Sequence, residues 1–181
     1  MATAGPSSPG TLADSDGTGT VVWSNSSNAG ASDDAYAQAA LLTSTSRYLL
    51  ATNFGFSIPA GATIDGILVE IEKNAGLLDT ITDDRVRLVK GGTVQSTDKA
   101  SGTNWPTSDA YSSYGGAADL WSGTWESTDI NASNFGVALS ATGLGTASVD
   151  HMRITITYTE AAATTFKRQK FSTALGMGIS L

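Results

Sequence analysis

The chain contains one histidine, His151, so a catalytic device built from serine, histidine and aspartate would have to use it. Asp150 is its neighbour in sequence, but adjacent residues of a strand point to opposite faces and cannot pair through their side chains. We therefore interpret His151 as a strand residue that faces a polar surface or an interface. A single histidine also argues against a zinc or iron site that depends on imidazole ligands.

Paired carboxylates are the second set of residues that could do chemistry. Acid pairs occur at Asp33–Asp34 and Asp83–Asp84, and Glu70 and Glu72 share one face of a strand pattern. A glycosidase needs two carboxyl groups held across a cleft, one of them with a raised pKa. The sequence singles out no such pair, and Asp-Asp dipeptides are typical of turns and solvated loops. We expect no catalytic residue, with a glycan hydrolase as a weak alternative.

A partial calcium-loop pattern begins at Asp14, in the segment DSDGTGT. Oxygen ligands stand at its first, third and fifth positions and Gly19 at its sixth. The twelfth position is Asn25, whereas the pattern requires a bidentate glutamate. We interpret the segment as part of an acidic flexible arm, keep calcium as a minor alternative, and predict no metal or other cofactor.

Aromatic residues are concentrated in one stretch, where we identify Trp105, Tyr111, Tyr114, Trp121 and Trp125. Exposed tryptophan and tyrosine rings on a β-protein can stack on sugars, so a glycan-binding face is one hypothesis for this set. The alternative is that the rings cover the open end of a sandwich or pack at a subunit interface, where both residue types are enriched. We favour the alternative and keep glycan binding as the second hypothesis.

The composition limits the partners. Ten Lys and Arg residues against seventeen Asp and Glu give a net charge of −7, which argues against binding to a nucleic-acid backbone. The chain has no cysteine, so disulfides and cysteine-based sites are excluded. The first residues lack the pattern of a signal peptide, and no run is apolar for long enough to cross a membrane. We expect neither nucleic acid nor membrane as a partner.

The clearest strand pattern is NFGFSIPAGATIDGILVEIE, from Asn53 to Glu72. Apolar residues alternate on both sides of the loop at 59–63, which predicts two antiparallel strands joined by a corner. Pro59 fixes its backbone angle and Gly61 relaxes the constraint on its neighbours, so geometry alone explains the loop. The predicted core consists of Phe54, Phe56, Ile67, Val69, Ile71, Val137, Leu139, Ile154 and Ile156.

Similar patterns extend along most of the chain. The predicted strands are Thr20–Trp23, Ala35–Leu42, Tyr48–Ser57, RVRLVKGG with Val86 and Leu88 inward, FGVALSA and SVDHMRITITYT, together with one strand among the loops of 97–125. A single helical turn is predicted in Ser127–Asn134, capped by Ser127 or Thr128. About eight strands without a long helix predict an all-β fold, namely an antiparallel, jelly-roll-like β-sandwich with extended N- and C-terminal arms.

Three regions follow from this pattern. Residues 1–19 contain almost nothing to bury and are predicted to form a flexible N-terminal arm. Residues 20–160 form the β-sandwich domain, and residues 161–181 form a C-terminal docking segment. Residues 1–160 carry seven basic and seventeen acidic groups, which is 7 − 17 = −10, whereas the docking segment adds +3.

The docking segment combines a basic cluster with an alternating apolar end. The residues predicted to contact a partner are Lys167, Arg168, Lys170, Leu175, Met177, Ile179 and Leu181. Extended segments of this kind can add a strand to a partner's sheet, with backbone ladders giving affinity and alternate side chains giving specificity. A disordered tail and a segment that folds back on its own body are the two alternatives.

Three segments, FGFSIPAGATIDGILVEIE, DLWSGTWESTDINASNFGVALSA and VDHMRITITYT, together resemble a β-sandwich module of tailed-bacteriophage virion proteins. The resemblance covers roughly Trp23 to Thr159. It implies a non-enzymatic virion structural protein, made in the host cytoplasm: a capsid decoration (cement) protein or another head or tail surface protein. It also implies a homo-oligomer in contact with a major lattice protein of the virion. The alternative is a carbohydrate- or receptor-binding module of a tail fibre.

Overall fold

The computed structural model describes residues 1–162, and this part of the chain is built from nine antiparallel strands. The strands are β1 (Ala2–Ser7), β2 (Thr11–Ser15), β3 (Ala37–Thr45), β4 (Tyr48–Thr52), β5 (Thr63–Asn74), β6 (Thr82–Lys90), β7 (Thr93–Val94), β8 (Ala110–Gly116) and β9 (Gly136–Thr159). A 3-10 turn at Ser26–Ala29 and one helical turn, α1 (Ser127–Ile130), complete the described elements. No helix among these residues is long and apolar enough to cross a membrane.

The long strand β9 organises the sheet, because five other strands pair with it. Along one edge it pairs first with β4, then with β3 and finally with β1. Along the other edge it pairs first with β6 and then with β5. The strands β2, β7 and β8 extend these pairings outward through β4, β6 and β5. The result is two groups of strands that share β9, a sandwich-like all-β architecture.

Two glycines lie where β9 passes from one group to the other. Gly143 and Gly145 have φ angles of 136° and 125°, which residues with a Cβ atom rarely adopt. A Cβ on Gly143 would also lie 2.1 Å from the carbonyl oxygen of Thr80. Glycine therefore allows β9 to adopt these angles and to approach Thr80 closely, at the point where the β3–β9 ladder has a register shift.

Both groups of strands bury side chains in one hydrophobic cluster. Residues of β5 alternate inward, and the two halves of β9 contribute Val137, Leu139, Ile154 and Ile156. All nine residues of the predicted core are buried, which confirms the inward faces read from the sequence. The prediction of an antiparallel all-β fold is also confirmed.

The N-terminal region differs from the prediction of a flexible arm. Residues 2–7 pair with the last part of β9, and residues 11–15 pair with β4. Leu12 and Ala4 are only partly buried against the core, so the region contributes little apolar area. Backbone hydrogen bonds hold it, and these need no apolar side chains, which explains why the composition suggested disorder.

The segment before the corner is also not the strand that alternation predicted. The regular strand β4 ends at Thr52, and Asn53 and Gly55 have positive φ angles of 60° and 68°, outside the β region. Phe54 and Phe56 are nevertheless buried in the core, and their ring centroids lie 6.2 Å apart in a stacked arrangement. The side chain of Asn131 replaces a strand partner: its amide accepts from the N–H of Ile58 at 2.7 Å and donates to its carbonyl at 2.9 Å.

Three smaller differences concern element boundaries. Residues 20–23 form no strand, and among them only Val21 makes an isolated bridge, to Ser46. The two strands predicted from FGVALSA and SVDHMRITITYT are one continuous strand, β9. The helical turn α1 occurs as predicted, but its cap is Glu126, which forms a capping box with Asp129.

Candidate functional site

The residues predicted to dock a partner lie outside the described residues 1–162. These are Lys167, Arg168, Lys170, Leu175, Met177, Ile179 and Leu181. The aromatic residues, the histidine and the acid pairs all lie within the described part, so the structure shows their surroundings.

Four of the five aromatic residues are buried in the core of the chain itself: Trp105, Tyr114, Trp121 and Trp125. Their indole groups donate hydrogen bonds inside the fold. Trp121 bonds the carbonyl of Ile67 at 3.0 Å, and Trp125 bonds the carbonyl of Leu120 at 2.9 Å. These four rings therefore offer no exposed face for stacking on a sugar, and their packing agrees with the interpretation favoured from the sequence over glycan binding. They pack as parts of the core, because each amphipathic ring finds an internal acceptor.

The fifth ring, Tyr111, is half-buried and is covered by a cation. The guanidinium of Arg153 lies 3.9 Å from the ring centroid, and two of its nitrogens donate to the carboxylate of Glu70 at 3.0 and 3.1 Å. Burial, and after it the neighbouring Glu72 carboxylate, raises the pKa of the Tyr111 hydroxyl. Arg153 therefore occupies the ring face that a sugar would need.

His151 is buried and uses both ring nitrogens within the chain. Its Nε2 lies 2.8 Å from the hydroxyl of Ser8, and its Nδ1 lies 2.8 Å from the hydroxyl of Tyr111. Burial, followed by the positive charge of Arg153, lowers the pKa of the imidazole. A serine, histidine and carboxylate device would place an acid at Nδ1, where this chain has a phenol. The two hydrogen bonds of His151 instead connect β9 to the N-terminal region, through Ser8, and to β8, through Tyr111.

Asp150 lies at a register shift in the β5–β9 ladder, next to His151. Its carboxylate is buried and accepts from the N–H of Asp33 at 3.4 Å, and burial raises its pKa. The two ring nitrogens of His151 have other partners, as the alternation of a strand predicted. Nothing local in the sequence pointed to Ser8, which is 143 residues away.

A second polar cluster lies inside the fold, where Lys73 of β5 meets Asp83 of β6. The distance from Nζ to Oδ1 is 2.5 Å, and the side chains are 3% and 0% exposed. The carboxylate also accepts from Trp105 Nε1 at 2.8 Å, the Tyr114 hydroxyl at 2.8 Å and the N–H of Ser101 at 3.0 Å. Asp83 was predicted to be a solvated loop acid. It is buried because four donors replace water around its carboxylate.

Burial shifts the pKa values of two groups in this cluster, Lys73 and Tyr114. Burial lowers the pKa of Lys73, while the Asp83 carboxylate acts in the opposite direction. Burial and the charge of Asp83 both raise the pKa of Tyr114. A cavity of about 280 Å³ borders the cluster and is lined in part by Lys73, Trp105 and Tyr114. The cluster therefore combines an amine, a carboxylate and a phenol in direct contact, with space beside them.

The acidic residues of the calcium-like segment are used within the fold. Arg47 bonds both Asp14, at 2.8 Å, and Asp16. The hydroxyl of Thr18 donates to Asp84 at 2.9 Å. Among residues 1–162, no group of three or more His, Cys, Asp or Glu side chains is placed to hold a metal ion. The oxygen ligands of the pattern are thus bonded to other groups of the protein.

Four exposed leucines form what we call the leucine patch: Leu42, Leu77, Leu78 and Leu144, which are 81%, 83%, 90% and 48% exposed. Leu42 and Leu144 are partners in the β3–β9 ladder. The loop that carries Leu77 and Leu78 is held against the same part of β9, because the N–H of Thr80 donates to the carbonyl of Leu144 at 2.9 Å. No local pattern in the sequence indicates this patch, since its members come from three separate segments.

A second cavity, of about 320 Å³, lies between β6 and the tryptophan-rich loop. The edges of Trp121 and Trp125 line it, together with polar groups such as Lys90 and Gln95. The ammonium of Lys90 lies 5.4 Å from the centroid of the Trp125 ring. The cavity therefore combines two aromatic side chains with several polar groups.

Comparisons of this chain with family models, with curated proteins and with solved structures gave no match in any of the three.

Proposed function

We propose that this chain is a non-enzymatic structural protein of a virion, which assembles as a homo-oligomer on a larger lattice. In its most concrete form the proposal is a phage capsid decoration (cement) protein or another head or tail surface protein. The observation that carries the proposal of assembly is the leucine patch. The phage assignment rests on the resemblance of the sequence segments given above.

The leucine patch supports assembly through its size and position. Single exposed apolar residues are common on monomeric proteins, whereas grouped ones mark interaction surfaces. Leu77 and Leu78 stand in one short loop, which bonds through Thr80 to Leu144, the ladder partner of Leu42. Burying each leucine in an interface would contribute about 1.5–3 kcal/mol. Contacts of that strength, repeated in every copy of a lattice, would contribute to holding a surface protein in place.

The charge distribution supports the same proposal. Residues 1–160 carry a charge of −10, and the basic cluster at Lys167, Arg168 and Lys170 carries +3. The basic cluster of one copy is therefore complementary to the body of another. The strands β2 and β8 stand at the two ends of the main hydrogen-bonded strand order. An added strand from a partner would extend the sheet at such an end.

The cavity beside Trp121 and Trp125 supports a second candidate, a glycan- or receptor-binding module. Its volume of about 320 Å³ is large enough for one small ligand, and Lys90 and Gln95 supply polar groups. The buried ring faces count against it, because stacking on a sugar requires an exposed face.

Fractionation of native particles separates the two candidates. A structural protein should remain in the particle fraction of a density gradient after a high-salt wash, at a constant ratio to the main lattice protein. Recovery of the chain only in fractions without particles would overturn the proposal. Retention on a column of immobilised glycans, with release by free sugar, would favour the second candidate.

A further inference from the structure

The contact between Lys73 and Asp83 has the features of a site for covalent bond formation. The amine nitrogen lies 2.5 Å from Oδ1, and both side chains are sealed from solvent. The ring centroids of Trp105 and Tyr114 lie 4.6 and 5.3 Å from Nζ and close the site. We propose that the chain forms an intramolecular isopeptide bond between Lys73 and Asp83, with no enzyme or cofactor. This modification is independent of the function proposed above.

The reaction is a condensation that releases water. A proton passes from the Lys73 ammonium to the Asp83 carboxylate, leaving a neutral amine and a carboxylic acid. The amine nitrogen forms a bond to Cγ, the bond from Cγ to Oδ2 breaks, and that oxygen leaves as water. Ammonium plus carboxylate thus become a neutral amide plus one water, with no change of oxidation state.

Two neighbouring groups are placed to assist these steps. The indole N–H of Trp105 donates to Oδ1 at 2.8 Å, where negative charge develops in the addition step. The hydroxyl of Tyr114 lies 2.5 Å from Nζ and 2.8 Å from Oδ2. It can therefore relay a proton from the attacking amine to the leaving oxygen.

The surroundings favour the amide over the ion pair. Two charges in a site of low dielectric lose their hydration, and condensation removes both charges. Burial also lowers the pKa of Lys73, which favours the neutral, nucleophilic amine. The fold holds the two groups in contact, so no encounter is needed. The adjoining cavity of about 280 Å³ has room for the released water.

The chain contains a matched control for these conditions. Lys99 and Asp119 form an ion pair at 2.6 Å, and the Lys99 ammonium lies 5.3 Å from the centroid of the Trp121 ring. The contact resembles that of Lys73 and Asp83, but its side chains are 27% and 37% exposed. Water solvates this pair and stabilises its charges. We expect it to remain an ion pair, since proximity without burial does not favour condensation.

The test is the intact mass of the purified full-length chain, followed by peptide mapping. The proposal predicts a mass about 18 Da below that of the sequence, equal to one water. Cleavage in the loop at Leu77 or Leu78, which is exposed, should leave the two pieces joined through Lys73 and Asp83. Lys73→Arg should restore the full sequence mass, whereas Lys99→Arg should retain the loss.

Two results would overturn the proposal. One is an unmodified protein that has the full sequence mass and separates into independent peptides on cleavage. The other is a loss of water that maps to a different position, for example to Asp16 before Gly17. Both readouts come from the unaltered chain, so they hold even if Lys73→Arg fails to fold.

Discussion

Leu42 lies directly opposite Leu144 in the β3–β9 ladder, and both side chains are exposed to solvent. Partners in an antiparallel ladder share one face of the sheet, so the pair presents a continuous apolar surface. Leu144 lies between Gly143 and Gly145, the two glycines of β9 with positive φ angles. The exposed pair therefore stands where the backbone of β9 departs from regular strand geometry.

The first prediction concerns this surface. Replacing Leu77 and Leu78 together by serine should weaken self-association at least about tenfold, because two apolar contacts are lost. Sedimentation velocity over a range of concentrations measures the effect, with Val22→Ser as the control for an exposed apolar residue outside the patch. Identical sedimentation of the double variant and the unaltered chain would remove the leucine patch from the interface.

The second prediction concerns the core. Ile71 is fully buried in β5, and Ile71→Ala should lower the free energy of unfolding by about 2–5 kcal/mol, because it leaves a cavity. Leu78→Ala deletes a similar volume from an exposed position and should leave the stability nearly unchanged. Denaturant titration measures both variants. Equal midpoints for the two would contradict the inward face assigned to β5.

The third prediction concerns the bend in β9. Gly143→Ala should destabilise the fold by about 1–3 kcal/mol, because its φ angle is unfavourable for alanine and the new Cβ would meet Thr80. A Cβ added at Gly102 would meet no atom within 4 Å, so Gly102→Ala is the matched control. Thermal melting compares the two variants. Equal melting temperatures for the two variants would mean that β9 does not require glycine at position 143.

The fourth prediction concerns pH. The pKa of His151 is lowered in the folded chain, so the unfolded chain binds more protons as the pH falls below about 6.5. The contribution of His151 to stability should be complete above that pH and should decline toward its folded pKa. His151→Gln lacks this titration but keeps Asp150, whose pKa is raised by burial. The unaltered chain should therefore lose stability relative to the variant as the pH falls below about 6.5.

Thermal melting at several pH values measures that difference. Parallel curves for the unaltered chain and His151→Gln would contradict the lowered pKa. The groups that face the imidazole, namely Ser8, Glu72, Tyr111 and Arg153, are unchanged in the variant.

The sequence predicted those parts of the fold that depend on local alternation. Ile67, Val69 and Ile71 alternate strictly and are buried, as are Val86 and Leu88. The pattern of apolar residues could not show that residues 2–7 pair with β9 and residues 11–15 with β4. Ladder hydrogen bonds join backbone groups and do not depend on whether the side chains are polar or apolar.

The polar clusters could not be predicted for a different reason. From the sequence, Asp83 was interpreted as one of two solvated acids. Its hydrogen bonds to Lys73, Trp105 and Tyr114 show that it is buried. His151 meets Ser8 and Tyr111 from distant parts of the chain. Such contacts depend on register between strands, which one sequence does not contain.

The central claim, that the chain acts by assembling on a particle, is tested most directly by deleting Phe171–Leu181. The fraction of protein that sediments with native particles should be measured for the full chain and the deletion, at low and high salt. We predict that the deletion melts normally but no longer sediments with particles. Raising the salt should weaken only the contribution of Lys167, Arg168 and Lys170. A truncated chain that binds particles as tightly as the full chain would contradict the docking hypothesis.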